Sequence, residues 1–386
     1  MRPTATAFHR SLLAGAALLA FTTALPAQAA VSPAVGKALN QAAAAAKSGN
    51  TAAAISAVNA ARAAASSAEE KQKSAQMAGY VFTRAGRYGD AAAALESSGA
   101  GARQLAPLYY QAGNYSKASA LAKQAGGEEM QILIAQASVK QGKYGDAVNA
   151  YNNLIKTNGA KPLYLENLAG AQYKSGDKKG YLATTEKLVR IDGSPARWKA
   201  LLVNFQQEQM RPEAKLALYH LMSATGTIDR PVDYQEFAKL ALVSNQAGIA
   251  AGALAKSGGA SDAMGQKLAQ AAAGMAAKAP AEAPKLAAVP ATALRGGNAY
   301  LGIGQYGPAI AAYDKVIAAN GSDADQAKLF KGIAALKAGN AGVAKTSFAA
   351  VGSANGMKDI ANLWGLYAST HNGITTPAAA VPPAKA

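Results

Sequence analysis

The apolar residues of this chain recur at the spacing of an amphipathic α-helix. A clear example is formed by Ala309, Ile310, Tyr313, Val316 and Ile317. Offsets of one, four, seven and eight residues place these side chains on one face of a helix. Because the stretches between turns follow this spacing rather than the alternation of a strand, we predict an all-α chain.

A turn with the pattern Gly-x-Tyr-x-x-Ala punctuates the helical stretches. Its clear copies contain Gly86, Tyr88 and Ala91; Gly113, Tyr115 and Ala118; Gly142, Tyr144 and Ala147; and Gly304, Tyr306 and Ala309. Degenerate copies begin at positions 49, 176, 209, 245 and 339, and the last of them keeps Gly339 and Ala344. A glycine tolerates the left-handed backbone that ends many helices. Each unit is therefore predicted to be a pair of antiparallel helices joined at this turn.

Small residues also stand seven positions before the turn glycine. They are Gly79, Ala106, Ala135, Gly297 and Gly332. Small side chains let two helices cross closely, so we expect the helices of each pair to meet at these positions. The turn tyrosine is expected to pack between the two helices as a core residue.

Residues 302–307 read GIGQYG, which also fits the Gly-x-Gly-x-x-Gly loop of dinucleotide-binding proteins, and Asp323 follows twenty-one residues after Gly302. That loop requires a β-strand before its first glycine. Residues 295–301 read as a helix instead, and the same punctuation recurs in the other units. The pattern therefore favours a repeat turn over a nucleotide site.

These features resemble the tetratricopeptide repeat, whose units of about 34 residues pair two antiparallel helices. The stretch 290–320 matches best, with Gly297, Tyr300, Gly304, Tyr306 and Ala309 at the offsets of the family. The resemblance implies an α-solenoid of antiparallel helical hairpins that binds peptides or proteins on its concave face and has no chemistry of its own. The proline expected between repeats is mostly missing, and some turns are only 27 or 29 residues apart, which implies degenerate repeats.

The family's geometry also implies which residues face the groove, through their positions on the first helix of each unit. The candidate partner-binding residues are Tyr80, Arg103, Tyr110, Gln136, Tyr173, Lys199 and Asn298. Tyrosine and arginine are enriched in binding hot spots. Taken singly, each of these residues is also of a type expected on any exposed helix face.

The chain is predicted to begin with an export signal. Arg2 and Arg10 precede an apolar run from Ser11 to Leu25, and Ala27-Gln28-Ala29 supplies small residues for cleavage. We expect residues 1–29 to be removed and the protein to be exported, with the periplasm as its predicted location and secretion as the alternative. A retained transmembrane anchor needs roughly 20 apolar residues, more than this run provides.

Four further segments follow the signal. Residues 31–277 are predicted to form an N-terminal repeat array, and residues 278–290, rich in Pro and Ala, a linker or a loop. Residues 291–370 are predicted to form C-terminal repeats with a capping helix at 360–367, and residues 371–386 a disordered tail. The sequence leaves open whether the solenoid continues through residues 278–290.

The composition makes the protein basic and free of thiols. It has 39 Lys and Arg against 22 Asp and Glu, a net charge of +17, and loss of Arg2 and Arg10 with the signal leaves about +15 (37 − 22). Positive charge favours acidic partners such as anionic polymers or lipid headgroups. The charges are scattered without basic clusters interleaved with aromatics, so nucleic acid is not expected as a partner.

The residues that carry chemistry are sparse. With 0 Cys there is no thiolate nucleophile and no Cys-ligated metal. After the signal only His220 and His371 remain, and they lie too far apart to form a zinc-binding motif. We predict no catalytic residue, no cofactor and no metal.

Two functions therefore stay open. The first is a non-enzymatic scaffold that binds an envelope protein or an extended peptide along the concave face. The second is a basic protein that binds an anionic envelope polymer or a membrane surface. Added salt separates them, because screening weakens binding to a polyanion more than binding through aromatic anchors.

Overall fold

The computed structural model describes residues 31–257, 263–353 and 356–371. These residues form twenty α-helices and one short 3₁₀-helix (Pro290–Thr292), and they contain no strand. The prediction of an all-α chain of helical hairpins is confirmed. The predicted signal at residues 1–29 and residues 372–386 of the predicted tail lie outside the described residues.

The helices follow one another with short connections. In chain order they are α1 Pro33–Lys47, α2 Thr51–Ala64, α3 Ala68–Arg84, α4 Tyr88–Ser97, α5 Ala102–Gln111, α6 Tyr115–Ala125, α7 Glu128–Lys140, α8 Tyr144–Asn158, α9 Pro162–Ser175, α10 Lys178–Ile191, α11 Pro195–Gln206, α12 Pro212–Ala224, α13 Pro231–Val243, α14 Ala247–Lys256, α15 Ala263–Ala288, α16 Ala293–Gly302, α17 Tyr306–Ala318, α18 Ala324–Lys337, α19 Ala341–Ala349 and α20 Met357–Thr370.

The chain divides into two compact units, one ending at Gln141 and the other beginning at Gly142. The first contains α1 to α7 and the second α8 to α20. The boundary between the units does not lie at residues 278–290, where the sequence predicted a linker or a loop.

That segment is in fact helical, and the prediction of a loop there is wrong. Helix α15 runs through Pro280 and Pro284, both of which are exposed. Small residues on its other side, among them Ala279, Ala283 and Ala287, are buried where α15 packs against α14 and α16. Tertiary packing of this seam outweighs the helix-breaking effect of the two prolines.

The repeat turns have the predicted backbone. Gly86, Gly113, Gly142, Gly304 and Gly339 have φ values between 72° and 82°. The second helix of the clear copies begins at the turn tyrosine, and the alanine three residues later is fully buried each time. The tyrosines are only half-buried, so they cover the turn rather than enter the core as expected. Their place in the first helical turn, beside exposed turn residues, accounts for the difference.

The two helices of a hairpin cross at the small residues, as predicted. A Cβ atom on Gly79 would lie 2.3 Å from Cγ of Leu95, and one on Gly332 would lie 2.3 Å from Cε1 of Phe348. At Gly297 the same atom would lie 2.7 Å from Cε1 of Tyr313. A large side chain of the second helix therefore fills the space left by the missing Cβ on the first.

The terminal helix α20 closes the second unit. The predicted capping helix is confirmed, since Trp364 stacks on Phe348 of α19 with 5.9 Å between ring centroids. Trp364 also donates a hydrogen bond of 3.0 Å from Nε1 to the carbonyl of Ala217 in α12. Helix α20 thus contacts α10, α12 and α18 as well as α19, unlike the end of a linear array in which each repeat touches only its neighbours.

No helix among the described residues combines the length and the apolar character that crossing a bilayer requires.

The crossings predict opposite effects for two glycine substitutions. Gly332→Ala should lower the free energy of unfolding by about 1 to 3 kcal/mol, because the new methyl group overlaps Phe348. Gly274→Ala, in the exposed middle of α15 with open space around it, should raise it by about 0.5 to 1 kcal/mol. Urea unfolding followed by circular dichroism measures both, and a shift of the same sign in both variants would contradict the close crossing.

Candidate functional site

A groove lies between α10 and α11 in the second unit. It encloses about 280 Å³. Seven residues line it: Thr185, Leu188, Asp192, Ser194, Ala196, Arg197 and Ala200. We call this feature the α10–α11 groove.

The α10 wall is part of a single stripe along the helix. Tyr181, Thr185, Leu188 and Asp192 follow one another at intervals of four, three and four residues, which places them on one face. Thr185 and Leu188 are buried and form the floor, while Asp192 lies exposed at the C-terminal end. The floor is therefore mainly apolar.

The α11 wall is made of Arg197 and two small residues. Helix α11 begins at Pro195, just after Asp192 accepts hydrogen bonds from the backbone N–H (3.0 Å) and the hydroxyl (3.2 Å) of Ser194. Ala196 and Ala200, one turn apart, are both exposed at the rim. Because neither side chain extends past Cβ, the groove stays open between the two helices.

Two tyrosines lie next to the lining residue Ala200 and do not themselves line the groove. Tyr181 donates a hydrogen bond of 3.2 Å from its hydroxyl to the carbonyl of Ala200. The ring of Tyr173, on α9, lies 5.7 Å from that of Tyr181 and is 58% exposed. Burial raises the pKa of Tyr181, so its hydroxyl keeps its proton and remains a donor. We call Tyr173 and Tyr181 the tyrosine pair.

This pair arises from a departure in the repeat. Tyr181 stands five residues after the turn glycine Gly176, where the clear copies have a buried alanine. The small residue has moved to Gly180, where a Cβ would come within 2.5 Å of Nε2 of Gln172 on α9. Since the bulky ring cannot occupy the crossing that alanine fills elsewhere, it turns toward α11.

Three basic residues of α10 and α11 form ion pairs. Arg197 binds Glu166 at 2.6 Å, and Lys178 binds Glu208 at 2.6 Å. Lys199, a candidate partner-binding residue, forms an ion pair with Asp229. The groove thus carries little excess charge of either sign.

The candidate partner-binding residues of the second unit differ in their exposure. Tyr173 is exposed, as a binding residue must be. Asn298 is only 3% exposed, and its Oδ1 accepts a hydrogen bond of 2.7 Å from the hydroxyl of Tyr313. The expectation that Asn298 faces a groove is corrected, because α15 packs over this part of α16, with Ala287 against Gly296.

In the first unit Tyr80 and Tyr110 keep accessible surface. Tyr80 is 40% exposed, with the guanidinium carbon of Arg84 5.8 Å from its ring centroid. Tyr110 is half-buried, and its ring meets the turn residue Tyr115 edge-on at 5.3 Å. Burial raises the pKa of Tyr110. Tyr110 thus packs on a tyrosine of the following helix, as Tyr173 does in the second unit.

Arg103 makes local contacts, and Gln136 is partly buried. Arg103 donates from Nη2 to the carbonyls of Gly126 (2.8 Å) and Ala125 (3.2 Å), which end α6. A cation is favourable at the C-terminus of a helix, so Arg103 stabilises this end. The Oε1 atom of Gln136 is buried and accepts no hydrogen bond among the described residues.

The residues that line the groove, and Tyr181 beside them, were not among the predicted candidates. The predicted set came from first helices, whereas Tyr181, Thr185, Leu188 and Asp192 belong to the second helix of a hairpin. The signal was present in the sequence as the spacing of this stripe, together with a tyrosine in place of the repeat alanine.

The two histidines lie apart. His220 is buried in α12, where its Nε2 and the Oε1 of Gln246 are 2.7 Å apart. Burial lowers the pKa of His220 from 6.5 to about 3, so the ring is neutral. His371 follows α20 and stacks on Tyr367 at 4.1 Å. In the part of the chain that the structure describes, no group of three or more His, Asp and Glu residues is placed to hold a metal ion.

The comparisons with known proteins found a family model that matches part of the chain and solved structures of low identity. The family model for the tetratricopeptide repeat matches residues 132–193 and 294–353. No curated protein matches the sequence. A solved tetratricopeptide repeat protein from Parabacteroides merdae is 13% identical, with a TM-score of 0.36, over 62% of this chain and 99% of its own. The structure of Naa15/Naa10 bound to HypK-THB is 13% identical, with a TM-score of 0.34, over 86% of this chain and 58% of the matched chain.

The buried His220 predicts a pH-dependent stability. The unfolded chain takes up a proton on this ring as the pH falls through 6.5, whereas the folded chain does so only near pH 3, so acid favours unfolding. Between pH 6.5 and 5 this costs the wild type about 1.5 kcal/mol of unfolding free energy. His220→Gln keeps an amide donor for Gln246 but does not titrate. Between pH 6.5 and 5 its free energy of unfolding, measured with urea, should therefore fall by about 1.5 kcal/mol less than that of the wild type.

The carboxylates titrate in both proteins and cancel in the comparison. Equal losses in wild type and variant would show that His220 is not the group responsible, and His220→Asn repeats the measurement if the first variant does not fold.

Proposed function

We propose that this chain, in which residues 132–193 and 294–353 match the tetratricopeptide repeat, is a non-enzymatic scaffold that binds an extended peptide segment of another protein in the α10–α11 groove. The observation that carries the proposal is the exposed ring of Tyr173, which packs on Tyr181. Tyr181 in turn bonds to Ala200, one of the residues that line a groove with an apolar floor. Aromatic side chains held rigidly at a surface are typical binding anchors.

The dimensions of the groove suit an extended chain. From Asp192 to Tyr181 the α10 stripe covers eleven residues, or about 16 Å of helix. An extended peptide advances about 3.3 Å per residue, so about five residues fit along it. The walls of Ala196 and Ala200 leave room for a backbone with small side chains.

The charge around the groove favours a peptide over a polyanion. Arg197, Lys178 and Lys199 are each held by a carboxylate, so a polyanion would have to displace Glu166, Glu208 or Asp229 to reach them. The net charge of +17 still supports the second hypothesis, an anionic envelope polymer or membrane surface bound elsewhere on the protein. Salt dependence separates the two.

We also propose that the protein is exported and that its partner belongs to the cell envelope. The support is the basic start, the apolar run to Leu25 and the small residues Ala27 and Ala29. An exported scaffold without cysteine has no thiols to oxidise and needs no disulfide for stability.

Export predicts a defined mature chain. Cell fractionation should recover the protein in the periplasm, and mass spectrometry should find its N-terminus at Ala30. Ala29→Arg should block cleavage and leave a heavier form, because the cleavage site requires small residues. Recovery of the full-length chain from the cytoplasm would contradict the proposal.

Removal of the tyrosine pair should weaken partner binding. The wild type, Tyr173→Ala and Ala200→Arg are used to retain crosslinked proteins from the envelope fraction of the producing cells at 50 mM and 500 mM salt, with identification by mass spectrometry. A defined protein should be retained at both salt concentrations by the wild type. Tyr173→Ala should weaken its binding about tenfold or more, as expected for loss of a hot-spot aromatic, and Ala200→Arg should block the groove.

Val243→Ala is the matched control, since Val243 is an exposed apolar residue of α13 away from the groove. Tyr110→Ala tests whether the first unit contributes to binding. If salt strips all retained material and Tyr173→Ala binds as the wild type does, the peptide groove fails and the anionic partner is supported.

A further inference from the structure

The chain leaves the described structure beside the α10–α11 groove. Helix α20 ends at Thr370, and the ring of His371 then lies 6.4 Å from that of Trp198 on α11. A Cβ atom on Gly193 would lie 3.5 Å from Cε1 of His371. Gly193 stands between Asp192 and Ser194, two residues that line the groove. The continuation of the chain therefore begins at one end of the groove.

An unused hydrogen-bond donor lies at the same place. The indole Nε1–H of Trp198 is buried and has no acceptor among the described residues. It points to the vicinity of Gly193, since a Cβ on that residue would lie 3.9 Å from Nε1. A buried donor without an acceptor is unfavourable, so a carbonyl group bound at this end of the groove would be stabilised by it.

The segment that follows has the chemistry of a ligand for this groove. Residues 372–386 read NGITTPAAAVPPAKA, with small apolar residues, three prolines and no acidic side chain. Proline restricts the backbone to an extended form, which lowers the entropy lost on binding in an aromatic-lined groove. From these observations we infer that the segment 377–383, PAAAVPP, binds with about five of its residues in the α10–α11 groove of the same chain and competes with the external peptide.

The connection is long enough for this contact. Six residue steps separate His371 from Pro377 and span up to about 20 Å, which covers the 16 Å stripe from Asp192 to Tyr181. A connection of this length gives an effective concentration in the millimolar range. A segment whose free form binds with a Kd near 0.1 mM would therefore occupy the groove most of the time and weaken an external ligand about tenfold.

The inference rests on the proposed function, because both assign peptide binding to the same groove. It adds the identity of one occupant. It also has a consequence, namely that the chain's own C-terminal segment inhibits binding of the external peptide in the groove. The first test does not depend on the external partner, so the two can fail separately.

The natural chain has no cysteine, so two introduced cysteines are the only thiols. Ala196→Cys at the groove rim is combined with Ala384→Cys just after the proposed segment. The control pair is Asn362→Cys with Ala384→Cys, because Asn362 is exposed on α20 nine residues before His371 and is also within reach. Under mild oxidation the 196/384 disulfide should form at least tenfold faster than the 362/384 disulfide, and urea should abolish the difference.

The second measurement removes the segment. A chain ending at residue 371 and the full chain, each labelled with a fluorophore at Ala196→Cys, are titrated with the free peptide PAAAVPP. The shortened chain should bind it about tenfold more tightly than the full chain, and Ala200→Arg should abolish binding in both. Circular dichroism verifies that the variants fold.

Equal crosslinking rates for the two cysteine pairs, or equal affinities of the two chains for the peptide, would overturn the inference. If in that case Tyr173→Ala still loses the envelope partner, the proposed function stands and only the intramolecular ligand is wrong. If the partner is lost neither by Tyr173→Ala nor by Ala200→Arg, the proposed function itself fails.

Discussion

The close crossing of the two helices in each hairpin is the constraint on which the rest of the structure depends. At Gly79, Gly297 and Gly332 the first helix has no Cβ, and Leu95, Tyr313 or Phe348 of the second helix fills that space. The contact sets the distance and the angle between the paired helices. The turn glycine and the buried alanine that follows it then place the second helix in register with the crossing. An all-α chain rich in alanine thereby acquires specific packing instead of a loose bundle.

The tyrosine pair beside the groove exists because one hairpin departs from this rule. In α9–α10 a tyrosine takes the place of the buried alanine, and Gly180 provides the small surface at the crossing instead. The ring of Tyr181 consequently reaches across to α11 and bonds to the carbonyl of Ala200. Binding surfaces in repeat proteins depend on such local variation, since a strictly regular array would present the same face at every repeat. The tyrosine pair is the clearest variation of this kind in the second unit.

Much of the fold could be predicted from the sequence because its determinants are local. The helical spacing, the turn glycines and the small residues at the crossings each depend on a few neighbouring positions, and the structure confirms all three. The helical state of residues 278–288 could not be predicted in this way, because it depends on packing against α14 and α16 that outweighs two prolines. Asn298 was misplaced for the same reason, since its exposure is decided by α15, a helix outside the repeat pattern. The groove was missed because its two walls come from different hairpins.

The hydrogen bond between Trp364 and Ala217 joins residues that are 147 positions apart in sequence. In a linear array, repeats can fold one after another, since each is stabilised by its immediate neighbour. Helix α20 connects the last part of the second unit to its middle, so loop closure over this distance precedes complete packing. The second unit should consequently fold as one cooperative body, at a rate limited by this long-range closure, rather than by stepwise growth from one end.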